Sequence, residues 1–129
     1  MTELAVQIPT VGIVLNRDLM FGSRIRSALA SVGLQARFVG NTGEFVDALL
    51  ENRASAAIGI IDMNGPVSWD VISEALGRGG VTLAPTLAFG PHVDVESRRA
   101  AKAAGITRIV SNGQFHTDMV GLIERYRHR

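Results

Sequence analysis

Apolar residues along this chain fall into short continuous runs that alternate with stretches of helical spacing. Val11-Gly12-Ile13-Val14-Leu15 is continuous and β-branched, the pattern of a strand covered on both faces. The polar loop Asn16-Arg17-Asp18 follows. Leu19, Met20, Ile25, Ala28, Leu29 and Val32 then recur at helical spacing and predict one apolar face, with Arg24 and Arg26 off it and Gly33 ending the helix. Residues 34–39 predict a second strand, and Gly40-Asn41-Thr42 turns the chain into a helix that carries Phe45, Val46, Leu49 and Leu50, with Asn41 or Thr42 as cap.

The clearest central strand is Ala56-Ala57-Ile58-Gly59-Ile60-Ile61, which stops at Asp62. Met63-Asn64-Gly65-Pro66 reads as a loop from its Asn-Gly and Gly-Pro pairs. Ser68 is placed to cap a third helix holding Trp69, Ile72 and Leu76, closed by Gly77, Gly79 and Gly80. Residues 82–89 predict a fourth strand, whose Pro85 implies a late start or an edge position. After Gly90-Pro91-His92, Asp94 caps a fourth helix rich in alanine that ends at Gly105. Residues 107–111 predict a fifth strand, Asn112-Gly113-Gln114 a turn, and the chain from about Thr117 a last helix with Met119, Leu122, Ile123 and Tyr126.

Five strand–helix units in succession predict a parallel sheet with helices on both faces and right-handed crossovers. Residues 1–10 read as a short leader ahead of one domain, 11–129. In such a sheet the functional crevice lies beyond the carboxyl ends of the strands. That places Asn16, Arg17, Asp18, Asp62, Met63, Asn64, Gly90, His92, Ser111 and Asn112 at its rim.

Ile60-Ile61-Asp62-Met63-Asn64-Gly65-Pro66 resembles the receiver domains of bacterial response regulators, where an apolar strand ends in a phospho-acceptor Asp with Pro four residues later. Pro85-Thr86-Leu87-Ala88-Phe89 is similar to their fourth strand. Ala103-Ala104-Gly105, followed by a short strand and a turn ending near Phe115, is similar to their last unit. The resemblance spans about residues 10–128. It implies a flavodoxin-like (βα)5 three-layer sandwich, with a five-stranded parallel sheet of order 2-1-3-4-5, and a signalling module rather than an enzyme.

The same resemblance exposes departures. Receivers carry two acidic residues after the first strand to hold Mg²⁺; here those slots fall on Leu15 and Asn16, with Asp18 out of register. The Ser or Thr expected at the end of the fourth strand is Gly90. The Lys expected after the fifth is Asn112, or Gly113-Gln114 with a one-residue insertion. Phosphoryl transfer to a carboxylate needs neutralisation of spreading negative charge, and Mg²⁺ binds through carboxylates. Asp62 remains the phospho-acceptor candidate, within a pocket of Asn16, Arg17, Asp18, Asn64, Gly90 and Asn112, but Mg²⁺ is expected to bind weakly and no cofactor is expected. The pattern is that of a degenerate, pseudo-receiver domain. Arg17 is either a substitute cation paired with Asp62 or a solvated loop residue; the second reading is the simpler.

Composition narrows the rest. Of 129 residues, 47% are hydrophobic and 19% charged, which suits one globular domain. The net charge of +1 gives no case for nucleic acid or a membrane surface, and no apolar run approaches the ~20 residues of a membrane span. With no cysteine there is no disulfide framework or thiolate site. A cytoplasmic location is the expectation. His92 has no second histidine nearby and reads as a solvated loop residue. Neither a phosphate-binding glycine loop nor a nucleophile elbow is present.

The resemblance implies a partner face on the fourth helix, fifth strand and fifth helix, comprising His92, Arg99, Ile109, Phe115 and Met119 and suited to another protein or a second copy. With no effector segment after Arg129, output is expected through such contact. The alternatives are a phospho-accepting receiver, in which Asp18 and Asp62 share a cation, and a small flavodoxin-like nucleotide binder or enzyme.

Overall fold

The computed structural model describes residues 8–77 and 83–129. Its elements run β1 (Val11–Leu15), α1 (Leu19–Ser31), β2 (Gln35–Val39), α2 (Thr42–Glu51), β3 (Ala56–Asp62), α3 (Trp69–Leu76), β4 (Thr86–Gly90), α4 (Val95–Ala104), β5 (Arg108–Ser111), α5 (Asn112–Thr117) and α6 (Met119–Tyr126). All strand pairings are parallel, and the sheet order is β2-β1-β3-β4-β5. This is the flavodoxin-like order. Among the described residues no helix is long and apolar enough to cross a membrane.

Strand alternation divides the core. Ile13, Leu15, Phe45, Ile61, Met63 and Ile72 pack on one side of the sheet; Val14, Ile25, Leu29, Ile60, Phe89, Phe115 and Ile123 pack on the other. Six consecutive residues of β3, Ala56 through Ile61, are buried, so this strand has helices over both faces. Each of its fully buried isoleucines contributes about 1.5–3 kcal/mol relative to exposure. The register aligns the carboxyl ends: Leu15 lies beside Ile61, Asp62 beside Phe89 and Gly90 beside Ser111. The residues that follow these positions are thereby gathered along one edge.

Several local expectations hold for the expected reasons. Asp18, Asn41 and Asp94 cap α1, α2 and α4 with their side chains, and Gly33 and Gly105 adopt positive φ after α1 and α4. Pro85 precedes β4, which starts at Thr86; the expected start at Thr82, like Gly79 and Gly80, lies outside the described residues. Ser68 stands at the N-cap of α3 but makes no side-chain cap; its N–H instead donates to Thr42 Oγ1 (3.0 Å).

Three expectations are corrected. Leu19 and Met20 are 91% and 82% exposed, because the first turn of α1 starts beyond the carboxyl end of β1 with no strand beneath it. The inward stripe begins at Gly22. Residues 112–114 form the first turn of a helix rather than a loop. A capping box drives this: the Ser111 hydroxyl accepts from Gln114 N–H while the Gln114 side chain accepts from Ser111 N–H. The last helix begins at Met119, after a break at Asp118. Finally, Phe115 and Met119 do not lie on a surface face. They are 0% and 7% exposed and belong to the α1–α6 side of the core.

Candidate functional site

Beyond the carboxyl ends of β1 and β3 lies a cavity of about 360 Å³ lined by Leu15, Asn16, Arg17, Asp18, Phe21, Asp62, Asn64 and Gly65. Asp62, the last residue of β3, is partly buried at its centre. Both of its carboxylate oxygens are engaged by amides. Asn16 Nδ2 donates to Oδ2 (2.8 Å); the backbone N–H of Asn64 (2.8 Å) and its Nδ2 (2.7 Å) donate to Oδ1. The orientation of each amide is fixed by its neighbours. Asn16 Oδ1 accepts Asp18 N–H (3.1 Å), which turns its NH₂ group toward Asp62. Asn64 and Asn112 exchange reciprocal hydrogen bonds of 3.0 Å. A continuous chain of polar side chains therefore runs Asn16–Asp62–Asn64–Asn112 across the carboxyl ends of β1, β3 and β5.

Asn112, the first residue of α5, reaches this chain, whereas Gln114 is spent on the cap of α5. Asp18 shares the cavity, but its Oδ1 caps α1 by accepting from Met20 and Phe21. Leu15 is sealed in the core.

Arg17 does not pair with Asp62; it is an exposed loop residue, as the simpler reading had it, but its guanidinium is held by backbone carbonyls. Its Nε donates to Gly40 O (2.6 Å) and its Nη2 to Pro66 O (3.0 Å), so it ties the loops after β1, β2 and β3 together. The physical reason is that Asp62 is already supplied with N–H donors, whereas these two carbonyls are open to the guanidinium. Gly65 makes room for it: a Cβ there would stand 2.5 Å from Arg17 Nη1.

Gly90, at the end of β4, faces Met63: a Cβ on it would lie 2.8 Å from Met63 Cβ and 3.2 Å from its Cε. Met63 thus occupies the space a side chain at position 90 would need. His92 is exposed in the loop before α4; Arg99 is exposed on α4, and Ile109 on β5 is half-buried.

Beside the cavity the sequence reading missed an aromatic cluster. His116 stacks on Phe21 (ring centroids 4.1 Å), and Phe89 stacks on Phe115 (4.0 Å). Arg24 Nη1 lies 3.0 Å from His116 Nδ1. A guanidinium only donates, so Nδ1 accepts and the proton sits on Nε2, which is buried with no hydrogen-bond partner. Burial first, and then the Arg24 guanidinium, hold the imidazole below the ordinary histidine range, against an opposing pull from Asp62. The unfolded chain therefore binds a proton more readily than the folded one. Stability contributed by neutral His116 is fully present above its unfolded value of 6.5 and is lost as pH falls through the folded value. His116→Phe, which keeps the stack and removes the titration, should flatten the decline in melting temperature between about pH 7 and about pH 5. An unchanged decline would show that other groups carry it.

The sequence matches no protein-family model and no curated protein, but its fold matches many solved structures. The phosphorylated cyanobacterial phytochrome response regulator RcpA superposes with a TM-score of 0.74 at 14% identity, over 92% of this chain and 94% of that one. A receiver domain of a sensor histidine kinase from Pseudomonas aeruginosa, with magnesium coordinated in its active-site cleft, gives 0.74 at 14% identity over 92% and 98%. A response regulator receiver protein from Burkholderia phymatum gives 0.62 at 25% identity over 89% and 95%. This chain has the receiver fold.

The cavity at Asp62 lies where the sheet rule placed a crevice, beyond the carboxyl ends of the strands. At the positions where the sequence reading expected departures stand a core leucine, an amide bonded to Asp62, a glycine faced by Met63, and Asn112, an amide bonded to another amide.

Proposed function

We propose that this chain is a pseudo-receiver: a receiver-fold signalling domain that works by protein–protein contact while Asp62 stays unphosphorylated. The observation that supports this is the engagement of both oxygens of the Asp62 carboxylate by three N–H bonds from Asn16 and Asn64. Those hydrogens point at the oxygens that a cation would need to approach. Asp62 is accompanied in the cavity by one other carboxylate, Asp18, which caps a helix. Mg²⁺ takes rigid octahedral oxygen coordination and is held through carboxylates, so the residues present do not fit it. Without a bound cation or a free Lys or Arg, the charge of an acyl phosphate has nothing to offset it, because Arg17 is engaged with two carbonyls. The partner face is assigned to α4, the loop before it and β5, with His92, Arg99 and Ile109.

The test is amide NMR of the full chain with Mg²⁺ and beryllofluoride, together with intact-mass measurement after incubation with acetyl phosphate, each repeated on Asp62→Ala. Unchanged spectra and no phosphoryl adduct are expected. An adduct or shifts around Asp62, Gly90 and Asn112 that vanish in Asp62→Ala would establish the phospho-accepting reading instead. The same logic makes a gain-of-binding prediction. Asn16→Asp sets a second carboxylate in place of an amide 2.8 Å from Asp62. It should cost about 1–3 kcal/mol without divalent cations and recover stability on addition of Mg²⁺, while the wild type is indifferent. Equal responses in thermal melts would count against the amide account of the cavity.

A further inference from the structure

We propose that the groove between α4 and β5 is the docking site for an acidic, extended segment of a partner protein. This rests on the protein-contact reading above and gives it a partner chemistry. The groove has a volume of about 580 Å³. Val95 and Ile109 supply apolar contacts, and Arg98, Arg99, Lys102 and Arg108 supply four cationic groups. Among the described residues no carboxylate lines it. Glu96, the one acidic residue of α4, is exposed and does not border it. Among the described residues none of the four cations makes an ion pair or a side-chain hydrogen bond. Arg98 goes further: its Nη1 is buried and has no hydrogen-bond partner. Buried polar groups are ordinarily satisfied, so Arg98 holds a hydrogen-bonding capacity that no described residue uses.

In a chain whose net charge is only +1, four unpaired cations in one groove are a local concentration, not a general surface property. Charge of one sign steers and selects a partner of the other. The extended form follows from β5. It is the edge strand, bonded to β4 on one side only, and a strand edge offers backbone N–H and C=O groups to an incoming strand. An extended segment seated there would turn one set of alternate side chains, the acidic one, toward the α4 cations beside Val95 and Ile109, and the other set toward the opposite face of the sheet. Nucleic acid is the poorer fit, because among the described residues no aromatic ring lines the groove to stack a base.

The probe is a peptide of about eight residues alternating glutamate and valine, titrated into the ¹⁵N-labelled full chain beside a glutamine–valine peptide and a short single-stranded DNA. The glutamate peptide should shift amides of residues 95–102 and 108–109 and bind about tenfold tighter than the glutamine peptide, an advantage that falls with salt. Arg99→Glu combined with Lys102→Glu should weaken it by at least about tenfold while leaving the Asp62 and Asn64 signals in place. Both residues are exposed, so folding should be preserved. Equal affinity for the two peptides, shifts away from the groove, indifference to the charge reversal, or tighter binding of DNA in the same groove would each overturn the proposal. Failure of the pseudo-receiver reading looks different: it shows as a phosphoryl adduct at Asp62, whatever the groove binds.

Discussion

Phe115→Ala should destabilise the protein by about 3–5 kcal/mol and should reduce partner binding only as far as it reduces the folded fraction. The ring is 0% exposed and stacks on Phe89 at 4.0 Å with an interplanar angle of 4°. Phe89 in turn meets Phe21 edge-on at 6.1 Å. The substitution removes the transfer energy of a whole ring, opens a cavity between β4 and α5, and forfeits an aromatic pair worth about 0.5–1.5 kcal/mol beyond its area. Urea unfolding should show a lower midpoint with an unchanged slope, since the surface exposed on unfolding is nearly the same. The groove substitutions at Arg99 and Lys102 should give the opposite profile: midpoint retained, binding lost. A Phe115→Ala protein with a near-native midpoint and no partner binding would return Phe115 to the surface face that the receiver resemblance suggested.

That resemblance placed Phe115 and Met119 by position in a family pattern, and the pattern carries no information about side-chain direction. Periodicity did carry it: Phe115, Met119, Leu122 and Ile123 are spaced as an inward stripe, and all four are buried. Reading the stripe across the break at Asp118 required the S-x-x-Q capping box at Ser111–Gln114, which the Asn-Gly pair masked as a turn. Leu19 and Met20 failed in the reverse sense. Their spacing fits the stripe of α1, but periodicity cannot say where the sheet beneath a helix ends. The sheet order and the strand cores were legible because each strand is a continuous apolar run bounded by turn residues, a signal that is local.

The site was legible as a place and not as a network. Asp62 stood out by ending the most apolar strand, and the fold rule about carboxyl ends gathered Asn16, Asn64 and Asn112 around it. What the sequence could not show is that Asn16 bonds Asp62 across 46 residues, or that Asn64 and Asn112 bond each other across 48. Amides carry no charge pattern to betray such pairing. Arg17 illustrates the same limit. A cation in the next loop suggested a carboxylate partner, yet backbone carbonyls, which every residue possesses, took it. The stacking of His116 on Phe21 joins residues 95 positions apart by sequence number and left no local signal either.

Gly90 offers the sharpest check on whether the cavity's departures hang together. Gly90→Thr restores the hydroxyl slot by sequence, and should destabilise the protein by about 1–3 kcal/mol through overpacking without restoring any phosphate response. The added Cβ would sit 2.8 Å from Met63 Cβ and 3.2 Å from Met63 Cε, and Met63 is only 5% exposed. The thioether end can swing away; the Cβ is fixed to the backbone, whose N–H is itself bonded to Phe89 O (2.8 Å). Relief should therefore be graded in a double-mutant cycle. Met63→Ala removes Cε but keeps Cβ, so its coupling to Gly90→Thr should be small. Met63→Gly removes both, and its coupling should reach about 1 kcal/mol or more, although glycine at this site is costly by itself. Equal coupling for the two Met63 variants would mean that the methionine tail, not its attachment point, excludes a side chain at position 90. In that case a hydroxyl at the slot would need only a change of rotamer, and the glycine would cease to be a structural consequence of Met63.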